Sequence, residues 1–75
     1  MADTETFYDR LLKERKDLTE KIDKLTTFLT TKKFEDLYAE DQRLLVDQHA
    51  HMLNYRGVLC KRISRLDQAQ ALIGQ

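Results

Sequence analysis

The fold of this chain is decided by residues 8–29, which read YDRLLKERKDLTEKIDKLTTFL. One row of positions in this stretch steps by three or four residues: Tyr8, Leu11, Arg15, Leu18, Ile22, Leu25 and Leu29. The row is apolar except for Arg15, and this spacing is typical of a helix face that packs lengthwise against another helix. The sequence therefore predicts a first helix from about residue 3 to residue 29.

A second row with the same spacing fills the later half of the chain. It consists of Leu45, Gln48, Met52, Tyr55, Leu59, Arg62, Leu66, Ala69 and Ile73. The row predicts a second helix over about residues 39–73, with Glu40 and Asp41 complementing the positive end of its dipole. Between the helices, a threonine-rich segment with Thr31 as a helix N-cap predicts a bend with a short helical turn at about 31–38.

Two long helices with facing seams predict an all-α protein, a long antiparallel helical hairpin. The 75 residues leave room for a single domain, residues 1–75, with a thin core. Leu12 and Phe28 widen the apolar stripe of the first helix beyond what one partner helix covers. The longer second helix also overhangs the first. These features predict that the hairpin packs into a homo-oligomer.

Composition argues against several functional classes. The 13 Lys and Arg residues balance 13 Asp and Glu residues, which argues against binding long nucleic acid. No apolar run reaches the roughly 18 residues of a membrane span, and the acidic start lacks the basic region of a signal peptide. The single cysteine, Cys60, fits a reducing cytosol, and His49 and His51 are spaced wrongly to share a metal on a helix.

Catalytic chemistry has no recognisable pattern in the sequence. There is no glycine-rich phosphate loop, no Ser/His/Asp or Cys/His arrangement, and no pair of carboxylates spaced for acid–base catalysis. We therefore expect a protein that is not an enzyme and that needs neither cofactor nor metal.

A simple hairpin does not explain the positions of several Arg and Lys residues. Arg15 and Arg62 fall in apolar rows, where an unpaired charge is costly. No acidic residue occurs between Asp47 and Asp67, a stretch that holds Arg56, Lys61, Arg62 and Arg65. These side chains either reach solvent or pair with first-helix carboxylates such as Glu14, Asp17 or Asp23. Alternatively, together with Tyr8, Lys24 and Thr26, they form a phosphate-and-base pocket between protomers.

A set of landmarks carries a family resemblance over about residues 8–63. They are Lys24-Leu25-Thr26-Thr27-Phe28, Lys33-Phe34, Leu37, Leu44-Leu45, Gln48, Met52, Tyr55, Leu59 and Arg62-Ile63. This pattern resembles the phage anti-CBASS and anti-Thoeris hairpin family, and the chain length is similar to that of its anti-CBASS protein two type. The resemblance implies a homohexamer that sequesters cyclic di- and trinucleotide second messengers of CBASS defence without cleaving them.

The same resemblance implies a role in immune evasion, in the cytoplasm of the infected bacterial host. It also implies the site residues. Tyr8 would stack on a base, Lys24 and Thr26 would contact phosphate and base, and Arg62 or Arg65 would hold the phosphates of a cyclic trinucleotide.

Three other functions remain open from the sequence. An apolar stripe around Leu12, Phe28, Phe34 and Leu37 would suit a hairpin that inhibits a host protein by docking on it. A purely structural coiled-coil oligomer is the second. The third is a sponge for the adenosine-diphosphate-ribose signals of Thoeris defence.

Overall fold

The computed structural model describes residues 6–73, with side chains through residue 68. Three helices follow one another: α1 spans Phe7–Phe28, α2 spans Lys32–Glu35 and α3 spans Ala39–Ile73. The prediction of an all-α protein is confirmed for this part of the chain, in which no residue lies in a strand. α1 packs against α3. The two run antiparallel, because Tyr8 near the start of α1 contacts Asp67, while Thr26 near its end contacts His49.

The start of α1 is set by a capping box. Thr6 has extended backbone dihedrals, its hydroxyl accepts a hydrogen bond from the Asp9 backbone N–H at 3.1 Å, and the Asp9 carboxylate accepts one from the Thr6 N–H at 3.2 Å. These bonds satisfy the N–H groups of Thr6 and Asp9. The Asp9 N–H lies in the first turn, where a backbone N–H has no carbonyl partner within the helix. The sequence placed this start near residue 3. Residues 3–5 lie outside the described part, and Thr6 is the cap rather than a helical residue.

Replacing Thr6 with alanine is expected to lower the free energy of unfolding by about 1 kcal/mol, because the Asp9 N–H loses its acceptor. Chemical denaturation followed by circular dichroism measures the change. Thr27→Ala is the matched control, since Thr27 is exposed within the last turn of α1. Equal losses in the two variants would show that the cap contributes nothing of its own.

The bend between the long helices is held by side chains that bind backbone groups. Thr31 caps α2 by accepting a hydrogen bond from the Phe34 N–H at 3.3 Å. The Gln42 side-chain amide, in the first turn of α3, lies 2.9 to 3.1 Å from the carbonyl oxygens of Phe34, Glu35 and Leu37. Gln42 therefore links the carbonyl groups of the bend to the first turn of α3.

The core lies between residues 11–22 of α1 and the later half of α3. Its buried residues are Leu11, Leu18 and Ile22 from α1 and Leu59 and Ile63 from α3, and Tyr8, Leu12, Met52 and Leu66 pack against them. Leu59 is fully buried, at 0% exposure. This narrow row is the only buried apolar cluster among the described residues.

The row of α3 that faces α1 differs in part from the predicted seam. Ile63 is buried while Arg62 is exposed, and Tyr55 keeps 46% of its surface. The prediction that Arg62 lies inside the apolar row is therefore wrong. The row through Arg62 and the row through Ile63 are adjacent on the helix. Turning Ile63 toward α1 removes apolar surface from water, while Arg62 keeps its hydration.

Neither long helix within residues 6–73 combines the length with the apolar character that crossing a bilayer requires.

Candidate functional site

Two arginines and an aromatic ring line a small cleft at the open end of the hairpin. Phe7 and Leu11 of α1 and Arg62, Arg65 and Leu66 of α3 enclose a volume of about 200 Å³, which we call the arginine cleft. The guanidinium carbon of Arg62 lies 5.5 Å from the centroid of the Phe7 ring. Leu11, which is buried, and Leu66, which is half-buried, form its apolar base. The cleft thus offers two cations above an apolar floor beside an exposed ring.

The electrostatics of the arginine cleft favour an anion. Among residues with described side chains, no carboxylate lies within ion-pair distance of Arg62 or Arg65, whereas Arg43 pairs with both Glu40 and Asp47. The Phe7 ring holds the Arg62 guanidinium through a cation–π contact without neutralising its charge. One guanidinium group can donate two parallel hydrogen bonds to two phosphate oxygens, and an aromatic face can stack on a base. The cleft therefore suits a phosphate with an attached base.

Tyr8 lies on the other flank of the hairpin. Consecutive residues of a helix are turned by about 100° from each other, so Tyr8 and Phe7 straddle the row that faces α3. The Tyr8 hydroxyl donates a hydrogen bond to the Asp67 carboxylate of α3. This hydrogen bond raises the pKa of Tyr8, with desolvation and the negative charge of Asp67 adding to the effect, while Arg15 opposes it. The structure therefore separates Tyr8 from the two arginines.

Because the pKa of Tyr8 is raised above 10.0 in the folded chain, this contact stabilises the fold below pH 10 and is lost as the pH rises through the folded value. We expect Tyr8→Phe to be less stable than the wild type at neutral pH, with the difference shrinking above pH 10. Denaturant unfolding of both proteins across that range measures it. Tyr38→Phe is the control, because Tyr38 is 84% exposed. A constant difference between Tyr8→Phe and wild type would contradict the assignment.

Thr26 lies at the opposite end of the hairpin. Its hydroxyl oxygen is 2.7 Å from Nε2 of His49, a half-buried residue of α3. Lys24 is exposed, and two residues of separation turn it by about 200° from Thr26, so the pair flanks the half-buried Leu25. The expected Lys-Leu-Thr element therefore presents its two polar side chains to different sides of α1.

One chain does not bring the five predicted site residues together. Arg62 and Arg65 share the arginine cleft, and Tyr8 lies at the same end on the other flank. Lys24 and Thr26 lie at the bend end, and the 18 residues from Tyr8 to Thr26 span about 27 Å along α1. A pocket that uses both Tyr8 and Thr26 therefore needs two copies of the chain.

Sequence reasoning missed Phe7 and His49. Phe7 precedes the predicted seam by one residue, and only the observed turn of α3 places Arg62 over its ring. A signal for His49 was present, because it follows Leu45 by four residues and precedes Met52 by three, the spacing of the row that α3 turns toward α1.

Arg15, predicted to need an anionic partner, is half-buried with its Nη1 at 4.0 Å from the Cys60 sulfur.

A larger cleft on the flank of the arginines has mixed charge. Its volume is about 440 Å³, and it is lined by Arg10, Lys13, Glu14, Asp17, Leu18, Lys21 and Tyr55. Two carboxylates among its three cations weaken its attraction for a phosphate. Within the described residues, no three His, Cys, Asp or Glu side chains lie close enough to hold a metal ion. The arginine cleft is thus the better candidate for an anionic ligand.

Comparison with known proteins gives one match. Neither the curated proteins nor the solved structures contain a match to this chain. A family model described as Sequestin matches residues 5–65, a range that includes all five predicted site residues. That name is consistent with sequestering a ligand, and the match fits the sponge family that the sequence resembles. Since the matched range covers most of the 75 residues, the chain belongs to the Sequestin family.

Proposed function

We propose that this protein binds and sequesters cyclic di- and trinucleotide second messengers of CBASS defence without cleaving them. It would do so as a homo-oligomer, in the cytoplasm of a phage-infected bacterium, and so protect the phage from host immunity. The arginine cleft is the observation that carries the proposal, because it sets two guanidinium groups without described carboxylate partners beside the Phe7 ring. Membership in the Sequestin family supports the sequestering role.

A cyclic trinucleotide fits a site repeated by symmetry. Its three phosphates are related by an approximate threefold axis, and a symmetric oligomer presents the same arginine several times around such an axis. Arg62 is directed by the Phe7 ring and Arg65 lies one turn further along α3, so either can meet a phosphate. The proposal is therefore that copies of the arginine cleft act together on one trinucleotide.

A cyclic dinucleotide would use the other residues. Tyr8, held to Asp67 by its hydroxyl, can present its ring to a base, while Lys24 and Thr26 of a second copy supply a cation and a hydroxyl for phosphate and base. The hydrogen bond between Thr26 and His49 orients that hydroxyl. In this proposal the dinucleotide pocket forms between protomers and is separate from the arginine cleft.

Calorimetric titration with a panel of cyclic di- and trinucleotides tests the function, with thermal unfolding as a second readout because a bound ligand raises the melting temperature. We expect binding, and chromatography of the released nucleotide should recover it intact. Lys24→Ala should weaken dinucleotide binding by about tenfold, the effect of removing one charged hydrogen bond. Lys16→Ala is the control, since Lys16 is also exposed on α1. A panel without heat or thermal shift would contradict the proposal.

The structure weakens the case for a host-protein inhibitor built on the expected apolar stripe. Leu12, Phe28, Phe34 and Leu37 are each half-buried, and the rings of Phe28 and Phe34 pack edge to face with centroids 6.2 Å apart. Leu12 also packs against the core, so three of these four side chains are engaged in the hairpin itself. For a sponge of Thoeris signals, the panel should include cyclic adenosine-diphosphate-ribose. A purely structural oligomer is expected to bind none of these ligands.

A further inference from the structure

Thr26 and His49 form a hydrogen-bonded pair that joins α1 to α3 near the bend. The Thr26 hydroxyl oxygen lies 2.7 Å from Nε2 of His49, and Thr26 is exposed whereas His49 is half-buried. His49 belongs to the row of α3 that faces α1, three residues before Met52, which packs against the core. The packing of the two helices therefore holds the imidazole ring in place, and the hydroxyl stays accessible to a ligand.

The hydroxyl of Thr26 is used differently from those of Thr30 and Thr31. These two threonines donate their hydroxyl protons to the backbone carbonyls of Thr27 and Phe28, each at 2.7 Å. Such local bonds to the backbone are a common use of threonine. Within the described residues, the partner of Thr26 is a side chain of another helix rather than a carbonyl of its own helix. Its proton is therefore not committed to the backbone.

The direction of the bond between Thr26 and His49 decides what Thr26 can recognise. A threonine hydroxyl has one proton to donate and two lone pairs that accept. If Nε2 accepts the proton, the Thr26 oxygen can only accept a hydrogen bond from a ligand, such as one from the amino group of a base. If Nε2 donates to the Thr26 oxygen, the hydroxyl proton is free for a ligand acceptor, such as a phosphate oxygen.

The surroundings of His49 favour donation from Nε2. The tautomer of a neutral imidazole follows from what its other nitrogen binds, and a proton on Nδ1 is often held by a carbonyl or carboxylate oxygen. Among the described residues, no carboxylate forms an ion pair with His49, and Thr26 is its one hydrogen-bond partner. No described group therefore holds a proton on Nδ1, whereas the Thr26 oxygen can accept one from Nε2.

We propose that His49 is a positioning residue that donates a hydrogen bond from Nε2 to Thr26, so that the Thr26 hydroxyl donates to a phosphate oxygen of the bound dinucleotide. This inference rests on the proposed function, and it assigns Thr26 to the phosphate rather than to the base. The imidazole, the hydroxyl and the phosphate form one chain of hydrogen bonds in which each bond polarises the next. The negative charge of the phosphate favours the same direction, because it attracts the hydroxyl proton.

Nitrogen NMR of the imidazole rings in the ligand-free full chain tests the direction of the bond. The spectra are recorded at an alkaline pH at which they no longer change, so that the rings are neutral. We expect His49 to carry its proton on Nε2, and His51, which is exposed, to show signals averaged over both tautomers. A His49 ring with its proton on Nδ1 and a bare Nε2 would overturn the inference.

Substitutions at position 49 test whether the bond acts on the ligand. Glutamine can place an amide nitrogen about where Nε2 lies, whereas asparagine is one methylene shorter and does not reach Thr26. We expect His49→Asn to weaken cyclic dinucleotide binding by about tenfold, and His49→Gln to keep most of the affinity. His51→Asn is the matched control, because it makes the same change at an exposed position of the same helix.

A double-mutant cycle separates this role from a structural one. In a chain that already carries Thr26→Val, His49→Asn should cause no further loss of dinucleotide affinity, and trinucleotide affinity should stay unchanged in every variant. Additive losses, an equal loss of trinucleotide affinity, or a His49→Gln variant as weak as His49→Asn would overturn the inference and keep the proposed function. A wild type that binds no cyclic nucleotide would overturn the proposed function and the role of the pair in binding, while the nitrogen spectra would still decide the direction of the bond.

Discussion

Replacing Leu59 with alanine is expected to lower the free energy of unfolding by about 2 to 5 kcal/mol, the range for removing a large buried aliphatic side chain. Leu59 is the one described large side chain with 0% exposure, and it packs among Leu11, Leu18, Ile22 and Ile63. The total free energy of unfolding of a native protein is only about 5 to 15 kcal/mol. The loss would therefore remove a large part of its stability and leave a measurable unfolded population.

Urea unfolding at several protein concentrations measures this loss, because self-association adds stability that depends on concentration. Leu44→Ala is the matched control, since Leu44 lies on the same helix and is 51% exposed. We expect its effect in the monomer to stay below about 1 kcal/mol. If the two leucines gave equal losses at the lowest concentration, the core would not lie where the structure places it.

Replacing Arg62 and Arg65 together with alanine is expected to weaken cyclic trinucleotide binding by about a hundredfold or more. Each hydrogen bond to a charged group contributes roughly 1.5 to 3 kcal/mol, and 1.4 kcal/mol is a tenfold change in affinity. Both side chains line the arginine cleft, and among described side chains neither pairs with a carboxylate. Removing them should leave the Phe7 ring and the apolar base, Leu11 and Leu66, in place.

The control for this variant carries Lys16→Ala with Lys33→Ala, which removes the same net charge from two exposed positions outside the arginine cleft. Cyclic dinucleotide binding is the second comparison, because its proposed residues lie elsewhere and should retain their affinity in the double arginine variant. Both nucleotides are titrated calorimetrically into folded protein. Unchanged trinucleotide affinity would remove the arginine cleft from the proposed function, and equal losses for both nucleotides would show that the two pockets are not separate.

The helices were largely readable from the sequence, because each follows from local properties. Thr31 caps a helix through a residue only three positions away. The row that contains Leu11, Leu18 and Ile22 likewise repeats every three or four residues. The choice between Arg62 and Ile63 as the inward residue was not readable. Each belongs to a row of nearly equal apolar character, so the pattern alone did not decide which of the two residues faces α1.

The candidate site was predictable only in its parts. The types of residue at Tyr8, Lys24, Thr26, Arg62 and Arg65 indicated phosphate and base recognition, and the resemblance assigned them roles. Their grouping was not predictable, because residues that act together come from different helices, and the spacing within one helix does not record which flank of the hairpin each residue takes. The structure groups Arg62 and Arg65 with Phe7, and it sets Tyr8 against Asp67 and Thr26 against His49.

The sequence by itself determined that this protein is helical, with two long amphipathic segments joined by a threonine-capped bend, because helix periodicity and caps depend on neighbours within one or two turns. Tertiary structure decided the rotation of α3 about its own axis. That rotation buries Ile63 and leaves Arg62 over the Phe7 ring. Its physical reason is the balance between burying aliphatic surface against α1 and keeping charged groups hydrated, which depends on both helices at once.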